Sequence, residues 1–323
     1  MPRALITGGA GFIGSHVADR FVAEGYEVEV IDNMSSGRRE NVPVSAILHH
    51  VDVGSAEAAE IVRRGGFDVV AHLAAQMDVR KSVAEPMDDA AVNVLGTLNV
   101  LEAIRKGEKR ARIVFTSTGG AVYGTSANPP TVETVAKEPE SPYAISKLAA
   151  EYYLAYYFRL YGLESAILRF GNVYGPRQDP HGEAGVVSIF CNRILDARAL
   201  TVYGDGLQTR DYIYVSDVVE AAWLGATRPL PDDPGLDARA FNVGTSIGTN
   251  VLDLASDLQR AAGTQLPLEF APKRPGEQQD SFIAIEKARH LLGWEPRVAL
   301  SDGLAATYEW FAANRLTGAV KKS

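Results

Sequence analysis

Cysteine is almost absent from this chain, with Cys191 the single example among 323 residues. An internal disulfide and a multi-cysteine metal site are thereby excluded, and a reducing compartment fits. Long apolar runs are missing as well. No stretch approaches the roughly 20 residues that span a bilayer. Met1-Pro2-Arg3 leads straight into a short apolar segment that glycines interrupt, unlike a signal peptide, so a cytoplasmic protein is expected. Basic residues are not in excess, 32 Lys plus Arg against 40 Asp plus Glu, and they are scattered, so no nucleic-acid partner is expected. The six histidines show no ligand spacing, and no metal site is expected.

What is present has the balance of a globular protein, with 46% hydrophobic and 22% charged residues. Disorder and fibrous repeats do not fit that balance. The length exceeds what one core usually organises, which suggests two packed lobes. The first half alternates short β-branched runs with helical patterns: strands at 4–7, 28–32, 46–50, 69–73, 112–117 and 165–169, helices at 13–24, 92–105 and 143–161. This is the signature of βαβ units, and right-handed crossovers make it an α/β, doubly wound parallel Rossmann sheet with a smaller α/β lobe. After Arg169 the alternation breaks. Clusters of Gly, Pro and charge at 171–185 and 204–210 read as ligand-facing loops, 229–235 as a surface excursion and 241–244 as one more strand.

Thr7-Gly8-Gly9-Ala10-Gly11-Phe12-Ile13-Gly14 follows the first strand and opens the first helix. Glycines at 8, 11 and 14 allow a tight turn and let the backbone approach a pyrophosphate, whose charge then meets the amides and dipole of the helix. A glycine-rich turn alone is not specific, since a plain strand-to-helix connection also carries glycine. The second strand supplies the context, ending in Asp32, 18 residues past Gly14. A carboxylate there accepts from the adenosine ribose hydroxyls and repels a 2′-phosphate, which points to NAD rather than NADP. Arg38 and Arg39 behind it read as a solvated loop. Asp52 and Val53, expected to end the third strand, flank the adenine, and the small residues of His72-Leu73-Ala74-Ala75 let a dinucleotide cross the sheet edge.

Tyr143 and Lys147 stand four apart on a helix introduced by Ser141-Pro142, so both side chains share a face. A tyrosine beside an ammonium and a positively charged nicotinamide becomes a base, since nearby positive charge favours the phenolate. With TGGAGFIG (7–14), Asp32-Asn33, HLAA (72–75), Asn93 in VNVLGT, YAISK (143–147), RFGNVYGPRQ (169–178) and TRDYIYVSD (209–217), the chain resembles the extended short-chain dehydrogenase/reductase superfamily, in particular its NAD-dependent nucleotide-sugar epimerases, dehydratases and decarboxylases. The resemblance covers nearly the whole chain. It implies general-base and ribose-binding roles for Tyr143 and Lys147, and adds Phe12, Ile13, Asn33, Asn93, Thr116 and Phe170 to the cofactor contacts.

One departure stands out. The family usually carries Ser or Thr four residues before the Tyr of VYG, and Val122-Tyr123-Gly124 places Gly119 there. Thr118, with Ser117 beside it, is expected to supply the missing hydroxyl. Gly120 and Ala121 occupy the positions where dehydratases resembling this family hold Asp-Glu and decarboxylases a Glu. Without that extra acid and base, oxidation followed by reduction remains, which is 4-epimerisation, and the resemblance implies a UDP-hexose as the substrate. The resemblance assigns Asn172, Arg210 and Arg274 to the substrate pyrophosphate, Tyr203 to the base, Glu277 to the nucleotide ribose and Ser281 to a gate beside the sugar C2. The aromatic run Tyr152-Tyr153 and Tyr156-Tyr157-Phe158 reads as core or subunit packing, and the family commonly forms a homodimer through this helix. The Rossmann domain is expected over 1–169 plus about 211–245, and the nucleotide-sugar lobe over about 170–210 plus 246–323. Another sugar-nucleotide modification and a non-catalytic NAD-binding regulator remain the rival readings.

Overall fold

The computed structural model describes residues 1–125, 127–179, 185–273 and 278–320. The first half contains β1 (Arg3–Thr7), α1 (Phe12–Ala23), β2 (Glu27–Asp32), β3 (Ile47–His50), α2 (Ala56–Arg64), β4 (Val69–His72), α3 (Val79–Ala84), α4 (Pro86–Ala90), α5 (Gly96–Lys106), β5 (Arg112–Thr118), α6 (Pro142–Tyr161) and β6 (Ser165–Phe170). The second half continues through β7 (Asn172–Tyr174), α7 (Val186–Leu195), β8 (Leu200–Tyr203), β9 (Thr209–Arg210), β10 (Tyr212–Tyr214), α8 (Val215–Thr227) and β11 (Ala240–Val243). It ends with β12 (Thr249–Asn250), α9 (Val251–Ala261), β13 (Leu268–Ala271), β14 (Asp280–Ser281), α10 (Glu286–Leu292) and α11 (Leu300–Val320).

Among the described residues seven strands form one parallel sheet in the order β11-β6-β5-β4-β1-β2-β3. The order reverses beside β1, and a crevice opens there at the carboxyl ends of β1 and β4. Alternation along the strands feeds two helical layers. Ala4, Ile6 and Val30 point to Phe21 of α1 and Val218 of α8, whereas Leu5, Ile31 and Val70 point to Val62 of α2, Leu101 of α5 and Leu154 of α6. Both faces are thus covered, which is why the central strands read as unbroken apolar runs. The second lobe packs α7, α9 and α11 over the β8–β13 pair, with Phe190, Leu200, Leu254, Leu258, Leu304 and Phe311 in its core. No helix among the described residues is long and apolar enough to cross a membrane.

Three expectations shift. The third strand stops at His50, because Val51 N–H turns back to His49 O and Asp52 Oδ1 accepts from Gly54 N–H at 2.8 Å, so Asp52 and Val53 lie in a turn. The helix expected at 92–105 is already winding at Pro86, passes through a π-helical turn at Ala91–Leu95 and becomes regular from Gly96. Ile285, Ala288, Leu292 and Trp294, expected in the second lobe, join the core on the α1 side of the main sheet, and the Trp294 indole donates to Asp217 O at 2.8 Å. An apolar helix follows available surface, and no composition break marks that return.

Candidate active site

The glycine turn is shaped by close approaches. Gly8 has φ +70°, and a Cβ at Gly14 would stand 2.1 Å from Gly8 O, so the start of α1 can lie this near β1 only without side chains. No side chain caps the first turn of α1, and no acidic residue sits in it. Those amides form a cradle suited to a phosphate. The turn opens onto a cleft of about 520 Å³ along the carboxyl ends of the strands. At its far end Asp32 accepts from Ala10 N–H at 3.0 Å and Met34 N–H at 2.8 Å, and the Asn33 side-chain amide donates to Asp52 at 2.9 Å. Val53, Leu73, Ala74, Ala75, Thr116 and Phe170 complete the expected wall, together with Phe12 and Ile13. Shape and donor set fit a dinucleotide. Arg38 borders the cleft near Asp32, whereas Arg39 lies in a short exposed turn.

Asn93 does not line this cleft. Its amide donates to Gln76 O at 2.8 Å and Asp89 Oδ1 at 3.0 Å, and its carbonyl accepts from Gln76 N–H, so it braces the wall from behind. His72 is another brace. Thr7 Oγ1 accepts from the amides of Leu73 and Ala74, so its proton goes to His72 Nδ1 at 2.7 Å. Thr97 donates to Asn93 O, leaving its oxygen to accept from His72 Nε2–H at 3.0 Å. One neutral tautomer satisfies the whole chain, and burial, then the Lys147 charge, lowers the His72 pKa to about 3.

Helix α6 enters the cleft with Ser141 capping Ala144 N–H, Pro142 in the first turn, and Gly162 ending it in the left-handed region. Tyr143, half-buried, and Lys147, buried, both line the cleft. The Lys147 ammonium donates to Thr116 O at 2.9 Å and lies 4.9 Å from the Phe115 ring centre. Burial lowers its pKa to about 8, opposed by the negative charges of Asp89 and Glu151. Ser117 borders the cleft, but its hydroxyl donates to buried Glu151 at 2.5 Å, so it is committed beneath the site and does not stand in for the missing group. Alternation along β5 leaves half-buried Thr118 on the other face from Ser117, and it is not among the residues that line the cleft or the second pocket. Gly119 is explained by crowding: a Cβ there would meet Ile283 Cδ1 at 2.7 Å and Arg169 O at 3.2 Å.

Beyond β5 lies a second pocket of about 200 Å³ lined by Asn172, Tyr203 and Arg210. A Cβ on Gly120 would come within 3.7 Å of Ser281 Oγ and 3.9 Å of Asn172 Oδ1, so these groups meet just past the end of β5. Ser281 pairs in register with Arg210, whose guanidinium donates to Thr209 O at 2.7 Å. Buried Asp211 accepts from Thr245 and from the amides of Ser246 and Ile283, tying this strand to its neighbours, and its pKa is raised by burial. Arg274 and Glu277 lie outside the described residues. Gln76, Lys81 and Arg177 in the cleft, and Gln178, Arg193 and Gln208 in the second pocket, were not singled out from the sequence. Arg177 and Gln178 fall within the segment 169–178, but Arg193 sits in an ordinary amphipathic helix and carried no signal.

A doubly wound sheet whose crevice unites a glycine cradle, a carboxylate at the end of the second strand and a Tyr–Lys pair defines a dinucleotide-dependent enzyme. The model of a family described as GDP-mannose 4,6 dehydratase matches residues 5–307. UDP-glucose 4-epimerase of Mycolicibacterium smegmatis is 42% identical over 314 residues, covering 96% of this chain and 98% of its own. Among solved structures, the UDP-glucose 4-epimerase of Thermotoga maritima with UDP-glucose has a TM-score of 0.91 at 42% identity, covering 97% of this chain and 99% of that one. The UDP-glucose 4-epimerase of Thermus thermophilus, in complex with NAD, has a TM-score of 0.87 at 42% identity, covering 96% and 99%. The chain belongs to the NAD-dependent epimerase/dehydratase family of extended short-chain dehydrogenases/reductases.

Proposed function

We propose that this enzyme interconverts the C4 epimers of a UDP-hexose, first of all UDP-glucose and UDP-galactose, with NAD as its cofactor. The observation that carries the reading is that Tyr143 and Lys147 line the same cleft as Asp32 and the glycine turn, while Gly120 and Ala121 stand where an eliminating enzyme needs an acid and a base. Asp32 and the glycine cradle hold the dinucleotide. When bound, NAD supplies reversible hydride acceptance. Tyr143 takes the proton from O4′ as the alcohol is oxidised and returns it after the 4-keto sugar has turned over. Lys147 holds the tyrosine's field positive and binds the nicotinamide ribose, while Thr118 donates to the reacting oxygen. Asn172 and Arg210 bind the UDP pyrophosphate, with Tyr203 against the base, and Arg274 and Glu277 complete the assignment.

Ser281 leaves room beside the sugar C2, where a tyrosine would exclude an N-acetyl group, so the N-acetylated pair is a substrate as well. The chain works as a homodimer through α6, a reading supported by exposed Tyr152, Tyr156 and Leu160 beside Met87 and Leu95. Incubation of the pure protein with UDP-galactose tests the central reading. UDP-glucose as product supports it, a 4-keto-6-deoxy product would make the enzyme a dehydratase, and no turnover with bound NAD would leave a regulator.

A further inference from the structure

Asp89, in α4, is fully buried, and only one of its oxygens is satisfied. Oδ1 accepts from Gln76 Nε2 at 2.9 Å and Asn93 Nδ2 at 3.0 Å, while Oδ2 has no hydrogen-bond partner. A buried carboxylate oxygen left in that state is costly unless a charge compensates it. No ion pair to Asp89 occurs among the described residues. Helix α4 packs against α6, the helix of Tyr143 and Lys147. It also runs into the π-helical turn Ala91–Leu95, a distortion often found beside functional sites, and that turn carries Asn93.

Charge balance around Lys147 singles out the same residue. Two carboxylates act on its ammonium, Asp89 from α4 and Glu151 from its own helix. Glu151 is already matched, since Arg169 of β6 donates to it from Nη2 at 2.5 Å and from Nε, with both side chains fully buried. Of the remaining titratable neighbours, His72 of β4 is held neutral by burial and by the Lys147 charge, its two threonines matching that tautomer, and Tyr143 shares the Lys147 face. The Glu151 and Arg169 charges cancel. Asp89 and Lys147 are left as the uncompensated pair.

We propose that Asp89 is a positioning residue, the buried counter-charge that keeps Lys147 an ammonium in the cleft, and that Gln76 and Asn93 fix its carboxylate for that task. Its value to catalysis rests on the reading of Tyr143 and Lys147 given above, whereas its effect on Lys147 does not. The test is NMR of protein labelled with carbon-13 at the lysine Cε, with the Lys147 signal assigned by its loss in Lys147→Arg. The wild-type signal should titrate near 8. In Asp89→Asn the midpoint should fall by about one unit or more, the usual size of losing a nearby opposite charge. Asp89→Glu should restore it. If Asp89→Asn does not fold, the double variant Asp89→Asn/Lys147→Met decides, since it should be more stable than Lys147→Met alone. An unchanged midpoint in Asp89→Asn, or a double variant no more stable than Lys147→Met, overturns the proposal. A shifted midpoint in a protein that turns over no UDP-sugar would keep it and reject the epimerase reading.

Discussion

Replacing Glu151 by Gln should destabilise the protein more than any surface ion pair could. Glu151 and Arg169 are both fully buried, and the guanidinium divides its donors among Glu151, Asp237 at 2.8 Å, the Tyr123 hydroxyl at 3.0 Å and Glu133 O at 3.2 Å. An amide keeps the shape but removes the only fully buried negative charge in that set, since Asp237 is partly exposed. Breaking one side of a buried pair costs about 3–5 kcal/mol, because the partner's charge is left without compensation. The partial service of Asp237 puts the expectation at the lower end, about 3 kcal/mol, or a fall in Tm of about 4 °C for a chain of this size. Thermal and urea unfolding should be followed at fixed cofactor and protein concentration, because bound ligand raises apparent stability. Glu151→Gln/Arg169→Met should then lose about 2 kcal/mol less than the sum of the single variants. A Glu151→Gln protein within about 1 kcal/mol of wild type, or strict additivity, would refute the argument that this pair carries matched buried charge.

Tyr143→Phe should lower kcat by about 10²- to 10⁴-fold while the bound NAD content stays unchanged, and near-normal turnover would remove Tyr143 from the base role. His72 sets an acid limit. Its folded pKa, about 3, lies below the unfolded value near 6.5, so the unfolded chain takes up the proton first and stability is lost as pH falls through that window. In urea unfolding between pH 7 and pH 4, His72→Asn should show a shallower loss than wild type, and equal slopes would count against the neutral buried ring. Ser281→Tyr should abolish turnover of UDP-N-acetylglucosamine while sparing UDP-glucose, as read by relative kcat/KM, and wild-type rejection of the acetylated sugar by several hundredfold would end the gate argument.

The features legible in the chain itself are those whose physics is local. A glycine turn between a strand and a helix, a carboxylate at the end of the next strand, and Tyr and Lys one helical turn apart each depend on a few consecutive residues, so spacing alone brings them to the cleft wall. The alternating apolar pattern likewise determined the layered sheet, because a strand buried on both faces must be apolar throughout. Other features were decided by contacts between segments far apart in sequence. Gly119 reads as a missing hydroxyl until Ile283, from the far end of the chain, is found filling the space a side chain would need. Ser117 looks like a spare donor beside Thr118, yet the fold turns it onto Glu151. Asn93 looks like a cofactor contact, yet it clamps Gln76 from behind the wall. Trp294 returns to the first core after the chain has built a second. Burial and orientation are properties of the packed assembly, and a pattern of residue types carries no record of which distant side chain will occupy a given volume or neutralise a given charge.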